Sequence, residues 1–299
     1  MSGPVRTRER RFAVPAAELA GVVVTSTKHK PAAHPLARDV AERFEALGVP
    51  VTLDLTGEAP LQPALERAGL VVSVGGDGTL LAAARRSVGS GVPVMGVNLG
   101  KLGFLAEFGA EQALAYASGS LAPDWPLQEK TMLQARVAGR PGVYHALNDV
   151  MLSQGVRTRL VRVRMRVDGR HATEYRADGV VVSTPVGSTA YSLSLGGPIL
   201  DHGLHALVVT PVAPHSFTNR PIVLPGDSEI GLEILSRTDE IALVVDGQEP
   251  VPVGVGDEVV VTAAPRGLTL LSTGERSAFD VLRLKLGWGT GPAPVPEEV

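Results

Sequence analysis

From Gly21 to Val97 the chain repeats one pattern: a short run of apolar, mostly β-branched residues, a break, then a longer stretch with helical spacing. Strands that are apolar on both faces cannot leave either face in water, so they belong in a sheet covered on both sides by the segments between them. Val22-Val23-Val24, Val51 to Leu55, Leu70 to Val74 and Val92 to Val97 read as strands, and Leu36 to Leu47, closing at Gly48, as an amphipathic helix. Right-handed crossovers then make the sheet parallel, and such a sheet binds ligands beyond the carboxyl ends of its strands.

The period changes past residue 124. Ala110 to Gly119 is still helical, but Ala122-Pro123-Asp124-Trp125-Pro126 has two prolines close together and is expected to be a linker. Arg157 to Val167 alternates charged and apolar residues, the mark of a strand with one wet face, and Asp168-Gly169 suits a hairpin turn. Further strand-like runs at Val180 to Ser183, Leu207 to Val209, Ile241 to Val245, Val259 to Thr262 and Leu268 to Leu271 fill the second half. The expected fold is an α/β N-terminal domain with a mainly parallel sheet over 1–124, then a mainly antiparallel β C-terminal domain over 125–275. The segment 276–299 follows, with Phe279 to Leu286 as a helix packing back on the first domain. The proline-containing tail from Gly289 has nothing to bury.

Composition narrows the function. With 44% hydrophobic and 20% charged residues the chain can bury a sizeable core. Lys+Arg 28 against Asp+Glu 31 leaves a net charge of −3, so no global positive field exists for nucleic acid or an anionic membrane, and any phosphate site has to be local. The absence of cysteine excludes disulfides, thiol catalysis and cysteine-ligated metals. The seven histidines are scattered, the His202/His205 pair included, and no protein-ligated metal site is expected. No run reaches the ~20 apolar residues that span a bilayer, and the arginine-rich start MSGPVRTRERRF lacks the apolar stretch of a signal peptide, so a cytoplasmic location is expected.

The strongest candidate for chemistry is Val71-Val72-Ser73-Val74-Gly75-Gly76-Asp77-Gly78-Thr79-Leu80-Leu81, a buried strand running through glycines into a helix. Glycines let the backbone approach an anion, and the free N–H groups of a first helical turn favour negative charge. Asp77 would repel a phosphate if it merely sat there. It either caps the helix, faces a metal ion held by phosphates, or accepts a proton from an attacking hydroxyl, and the last two roles mean phosphoryl transfer. Few lysines lie near it in sequence, which points to a cradle of amides and metal rather than a lysine clamp. Gly96 to Leu102 misses the P-loop spacing and has Leu102 in place of the magnesium-binding hydroxyl; it is either a second loop on the same crevice or a plain turn. The run from Asp178 to Pro198, dense in hydroxyls with one aromatic at Tyr191, suits a flat heteroaromatic ligand such as a nucleotide base. A Ser/Thr turn capping a helix at Ser188 would account for only part of it.

Taken in order, GGDGTLL from Gly75, NLGKLGFL from Asn98, ALNDV from Ala146 and DGVVVSTPVGSTAYSLSLGGP from Asp178 resemble the NAD kinase family, ATP- or polyphosphate-dependent. Pro211 to Ser216, Asn219-Arg220-Pro221 and Val245-Asp246-Gly247-Gln248 extend the likeness, which covers Leu70 to Trp288. The resemblance implies phosphorylation of the adenosine ribose 2′-hydroxyl of NAD by ATP, with Mg²⁺ or another divalent cation accompanying ATP, in a homodimer or homotetramer. By match, Asp77 is the base or hydroxyl-orienting group, and Gly76 and Gly78 admit phosphates. Asn148 and Asp149 match an asparagine–acid pair on the dinucleotide, with Asp149 where many members have Glu. Thr189, Ala190, Tyr191 and Ser194 match nucleotide-pocket positions, Asp178 and Ala213 positions at the nicotinamide end, and Asp246 and Gln248 also count as nucleotide-binding. Arg176 matches a place where a polar or basic residue resembles enzymes preferring NAD over NADH. The rival readings are a diacylglycerol-type lipid kinase, which requires an apolar acyl pocket, and a non-catalytic NAD/NADP sensor.

Overall fold

A computed structural model describes residues 10–100, 103–154, 160–216, 218–236, 241–248 and 250–287. The four predicted apolar strands form the expected parallel arrangement. Val51–Asp54, Val22–Thr25, Leu70–Gly75 and Val94–Asn98 lie side by side in that spatial order, with Val22 opposite Val51 and Leu70, and Gly75 opposite Asn98. Every residue of Leu70–Gly75 is buried, because the helices His34–Ala46 and Asp77–Ser87 take opposite faces of the sheet. Phe44 and Val40 join the cluster on one side, Leu80 and Ala84 the cluster on the other.

Two stretches depart from expectation. Trp125 and Pro126, expected in a linker, open the strand Trp125–Lys130. The indole stacks with Phe12 and meets Phe108 and Tyr116 edge-on, and this burial outweighs the missing Pro126 N–H, whose carbonyl still accepts from Ser272. Leu268–Leu271, expected among the antiparallel strands, instead enters the first sheet between Val94–Asn98 (parallel) and Trp125–Lys130 (antiparallel). All four of its residues are buried, the signature of a strand covered on both faces rather than one with a wet side. Arg11–Phe12 closes the far edge of this seven-stranded sheet.

The rest of the second half is two six-stranded antiparallel sheets packed face to face. Val161, Val163 and Met165 point into their shared core while Arg162, Arg164 and Arg166 form ion pairs on the outer face with Glu174, Glu233 and Glu258, as the alternation requires. The start of that predicted strand, 157–159, lies outside the described residues. Asp168 and Gly169 both have positive φ, 50° and 74°, and make the expected hairpin turn. The helix Ala278–Leu286, capped by Ser277 and ended by left-handed Gly287, brings Lys285 over the Phe104 ring at 5.9 Å. The tail from Gly289 lies outside the described residues. Among those residues no helix is long and apolar enough to cross a membrane.

Leu270 is buried in the inserted strand, so Leu270→Ala should cost about 2–5 kcal/mol, read as a lower urea midpoint at unchanged slope.

Candidate functional site

Parallel pairing brings the carboxyl ends of four strands together, with Thr25 beside Asp54 and Gly75 beside Asn98. Gly76 leaves the strand at φ 147°, ψ −172°, a conformation open only to glycine, and the helix Asp77–Ser87 starts immediately after it. Lys30, from the loop after the Val22–Thr25 strand, donates its ammonium to the Gly75 carbonyl, and a Cβ on Gly76 would lie 3.2 Å from Lys30 Nζ. Few lysines lie near this loop in sequence, yet one distant in the chain, Lys30, sits on it, because the parallel sheet aligns the two strand ends.

Asp77 does not cap its own helix. Its Oδ2 accepts from Phe104 N at 2.7 Å, and Oδ1 accepts from Leu105 N and Ala106 N at 3.1 and 3.0 Å. A Cβ on Gly103 would lie 2.2 Å from Oδ1, so only glycine lets the second loop come this close. Asn98 holds the same loop from its base, donating to Ala106 O and accepting from Gly100 N. The Asn98 to Phe104 stretch is thus a second loop on the crevice, apart from Lys101 and Leu102, which lie outside the described residues.

On the facing β-sandwich a second carboxylate does the same work. Asp246, whose side chain is fully buried and whose φ is 46°, accepts from Leu147 N, Asn148 N and Asp149 N at 3.0, 2.8 and 3.2 Å. Its Oδ2 also receives Arg85 Nη1 at 3.0 Å, from the helix that starts at Asp77. The next residue, Arg86, turns the other way to Asp54 and Thr25. Burial alone would raise the Asp54 carboxyl, but hydrogen bonds from Thr56 and Arg86 hold it below the usual range. Asp149 has no such relief: burial, with the charge of Asp246 beside it, pushes its carboxyl up to about 7.

Leu147 and Val186 pack with Leu80, Leu105 and Ala106, which closes the crevice floor across both halves of the molecule. Thr184 binds the same loop, donating its N–H to Asn148 O and its hydroxyl to Leu147 O. A Cβ on Gly187 would lie 2.0 Å from Asn148 O, so the hydroxyl-rich run lies directly against the asparagine–acid pair. Thr189 bonds Val186 O, buried Ser188 and Ser192 bond within the protein, Ala190 is half-buried, and Tyr191 and Ser194 are exposed, Tyr191 by 44%.

Gln248 is exposed and donates to Asp246 O. Asp178, Arg176 and Ala213 gather elsewhere, at the opposite end of the strand Gly179–Ser183, roughly 15 Å along the sheet from Asp149. Asp178 accepts from Gln154, Arg176 is exposed, and Ala213 has φ 43°.

Beside Phe104 and Thr189 a cavity of about 490 Å³ runs to Lys130, His202 and Phe279. Burial, with Lys130 near, drives the His202 ring down to about 4, so it is neutral at pH 7. Among the described residues no three His, Asp or Glu side chains converge on a metal position. Neither Lys30 nor Arg85 was legible beforehand, since each reaches its partner only through the fold.

Models of two domain families match this chain, the ATP-NAD kinase N-terminal domain over residues 14–124 and the ATP-NAD kinase C-terminal domain over 147–273. The NAD kinase of Heliobacterium modesticaldum is 40% identical over 281 residues, which is 90% of this chain and 98% of that one. The NAD kinase of Koribacter versatilis is 42% identical over 221 residues, 73% of this chain and 77% of its own. Among solved structures, yeast NADH kinase complexed with NADH superposes with a TM-score of 0.78 at 25% identity, covering 96% of each chain.

The raised Asp149 carboxyl has a consequence for stability. Between the unfolded value near ~4 and about 7 the native state holds the extra proton, so stability falls as pH rises through that window. Asp149→Asn should therefore be more stable than the wild type at pH 8, with the gap closing toward pH 4, as measured by urea denaturation.

Proposed function

The chain belongs to the NAD kinase family, a family of phosphotransferases that pass the terminal phosphoryl group of ATP to the adenosine ribose 2′-hydroxyl of NAD, and from that premise we propose how its residues divide the work. The lipid-kinase and sensor readings are not favoured, since the two matching domain families and the relatives named above are NAD or NADH kinases. One observation carries the assignment: a carboxylate in a glycine loop, Asp77, starts the helix to which a segment of the other half of the molecule, Asn148-Asp149, is tied through Asp246 and Arg85.

The target hydroxyl is a poor nucleophile, so it has to be held in line with the terminal phosphate while charge on the phosphate oxygens is neutralised. Asp77 Oδ2 carries a single N–H and keeps a lone pair for that hydroxyl, which Asp77 orients and whose proton it accepts. Gly76 and Gly78, without side chains, let the phosphates reach the backbone amides, and Lys30 adds a positive charge at the same loop. A divalent cation enters with ATP as part of the substrate and supplies further neutralisation; Mg²⁺ is the reading we favour.

Asn148 and Asp149 contact the dinucleotide, with Tyr191 stacking on a base and Thr189, Ala190 and Ser194 beside it. The ligand then runs along the sheet toward Asp178, Arg176 and Ala213 at the nicotinamide end. Exposed Ile222 and Val223, on the edge strand Ile222–Pro225, support a homo-oligomer. The expected setting is the cytoplasm.

Incubation with Mg-ATP and NAD, followed by an NADP-specific dehydrogenase, should report NADP formation. Asp77→Asn should lower kcat by ~10²–10⁴-fold with NAD affinity within a few-fold, and full activity in that variant would refute its role. Arg176→Gly should raise the NADH/NAD activity ratio; an unchanged ratio removes Arg176 from substrate selection.

A further inference from the structure

The helix Asp77–Ser87 is fastened at its far end by two consecutive arginines pointing in opposite directions. Arg86 fixes it to its own sheet through Asp54 and Thr25. Arg85 crosses to the β-sandwich and meets Asp246 at 3.0 Å, the residue whose two oxygens collect the N–H groups of Leu147, Asn148 and Asp149. Asp77, at the start of this helix, acts on the attacking hydroxyl beside the phosphate loop; Asn148 and Asp149 hold the rest of the acceptor. The Arg85 guanidinium is mostly buried and the Asp246 carboxyl completely so, and a charge pair of this kind holds its geometry against competing water.

We propose that Arg85 is a positioning residue for phosphoryl transfer, setting the acceptor segment Leu147–Asp149 against the Asp77 helix through Asp246. The proposal rests on the family reading and adds a residue that acts without touching substrate. Two consequences separate it from a merely structural ion pair. Misplacing the acceptor by a fraction of an ångström lowers turnover more than affinity, because in-line attack tolerates little error. The pair also controls the field at Asp149. Asp246, on the turn after the adjacent strand, is the charged group acting on Asp149; Arg85 offsets it from the helix, and the neighbouring strand offers only Ser183 opposite, which does not titrate. Removing the arginine leaves the Asp246 charge less compensated and makes Asp149 harder to ionise, whereas removing the Asp246 charge makes it easier.

The test uses the full chain with Arg85→Gln, Arg85→Lys, Asp246→Asn and, for comparison, Arg86→Gln. Arg85→Gln is expected to lower kcat by ~10–100-fold with the KM for ATP within a few-fold, and Arg85→Lys to recover much of the loss. In profiles of kcat/KM for NAD against pH, the acid limb should move up in Arg85→Gln, down in Asp246→Asn, and stay in place in Arg86→Gln. A kcat for Arg85→Gln within twofold of wild type, or limbs that move the same way in the two pair variants, would overturn the proposal. Urea midpoints against pH follow the same Asp149 carboxyl without turnover, so a wild-type chain that formed no NADP would defeat the activity and with it the positioning role, whereas NADP formation with urea shifts in the same direction for the two pair variants would overturn this proposal alone. Should Asp246→Asn not fold, the upward shift in Arg85→Gln and its reversal in Arg85→Lys carry the decision alone.

Discussion

Two carboxylates, each gathering three consecutive backbone N–H groups, hold this site together. Asp77 takes those of Phe104, Leu105 and Ala106; Asp246 takes those of Leu147, Asn148 and Asp149. A loop has many backbone conformations to lose, the more so where it carries Gly100 and Gly103, and a charge-assisted hydrogen bond is roughly twice as strong as a neutral one, so one carboxylate per loop is an efficient way to select a single shape. Each carboxylate comes from a different element than the loop it shapes. Each loop therefore takes its shape only when elements of its own half have paired, the strands Leu70–Gly75 and Val94–Asn98 for the first and Asp149–Gln154 and Ile241–Val245 for the second.

The electrostatic consequences are unevenly shared. Asp246 is fully buried yet satisfied, by three amides and the Arg85 guanidinium. Asp149, next to it, receives its burial without compensation and holds its proton to about neutral pH. Such a group is poised to change charge when a ligand with hydroxyl donors enters, and the cost of burying it is offset by the packing of Leu147 and Val186 on Leu80 and Leu105. The hydrophobic floor and the polar rim are thus parts of one arrangement, in which apolar contacts across the two halves fix the distances that the charged groups then use.

Much of this was legible from local pattern. Buried runs such as Leu70 to Val74 announce a parallel sheet because no other arrangement covers both of their faces, and the alternation over Arg162 to Val167 announces a strand with one wet side. The strand Leu268–Leu271 shows where pattern stops. Its apolar character was plain, but its choice of partner depends on which sheet has a vacant buried position, a property of the assembled molecule. Trp125 likewise looked like the end of a linker until its ring met Phe12, Phe108 and Tyr116.

The same division applies to the chemistry. The order of residues alone determined that a glycine loop would leave a buried strand with an acid in it, that a hydroxyl-rich run would follow far downstream, and that the pieces together belonged to one phosphotransferase family, because these are features of backbone freedom and side-chain type within short windows. Only the tertiary structure decided that Asp77 would shape a neighbouring loop rather than cap its own helix, that Lys30 would reach the Gly75 carbonyl, and that Arg85 would join the two halves at Asp246. Hydrogen bonds and ion pairs act over a few ångströms, and which groups come within that range across gaps of 27, 45 and 161 residues is set by how whole elements pack, not by any neighbour in the chain.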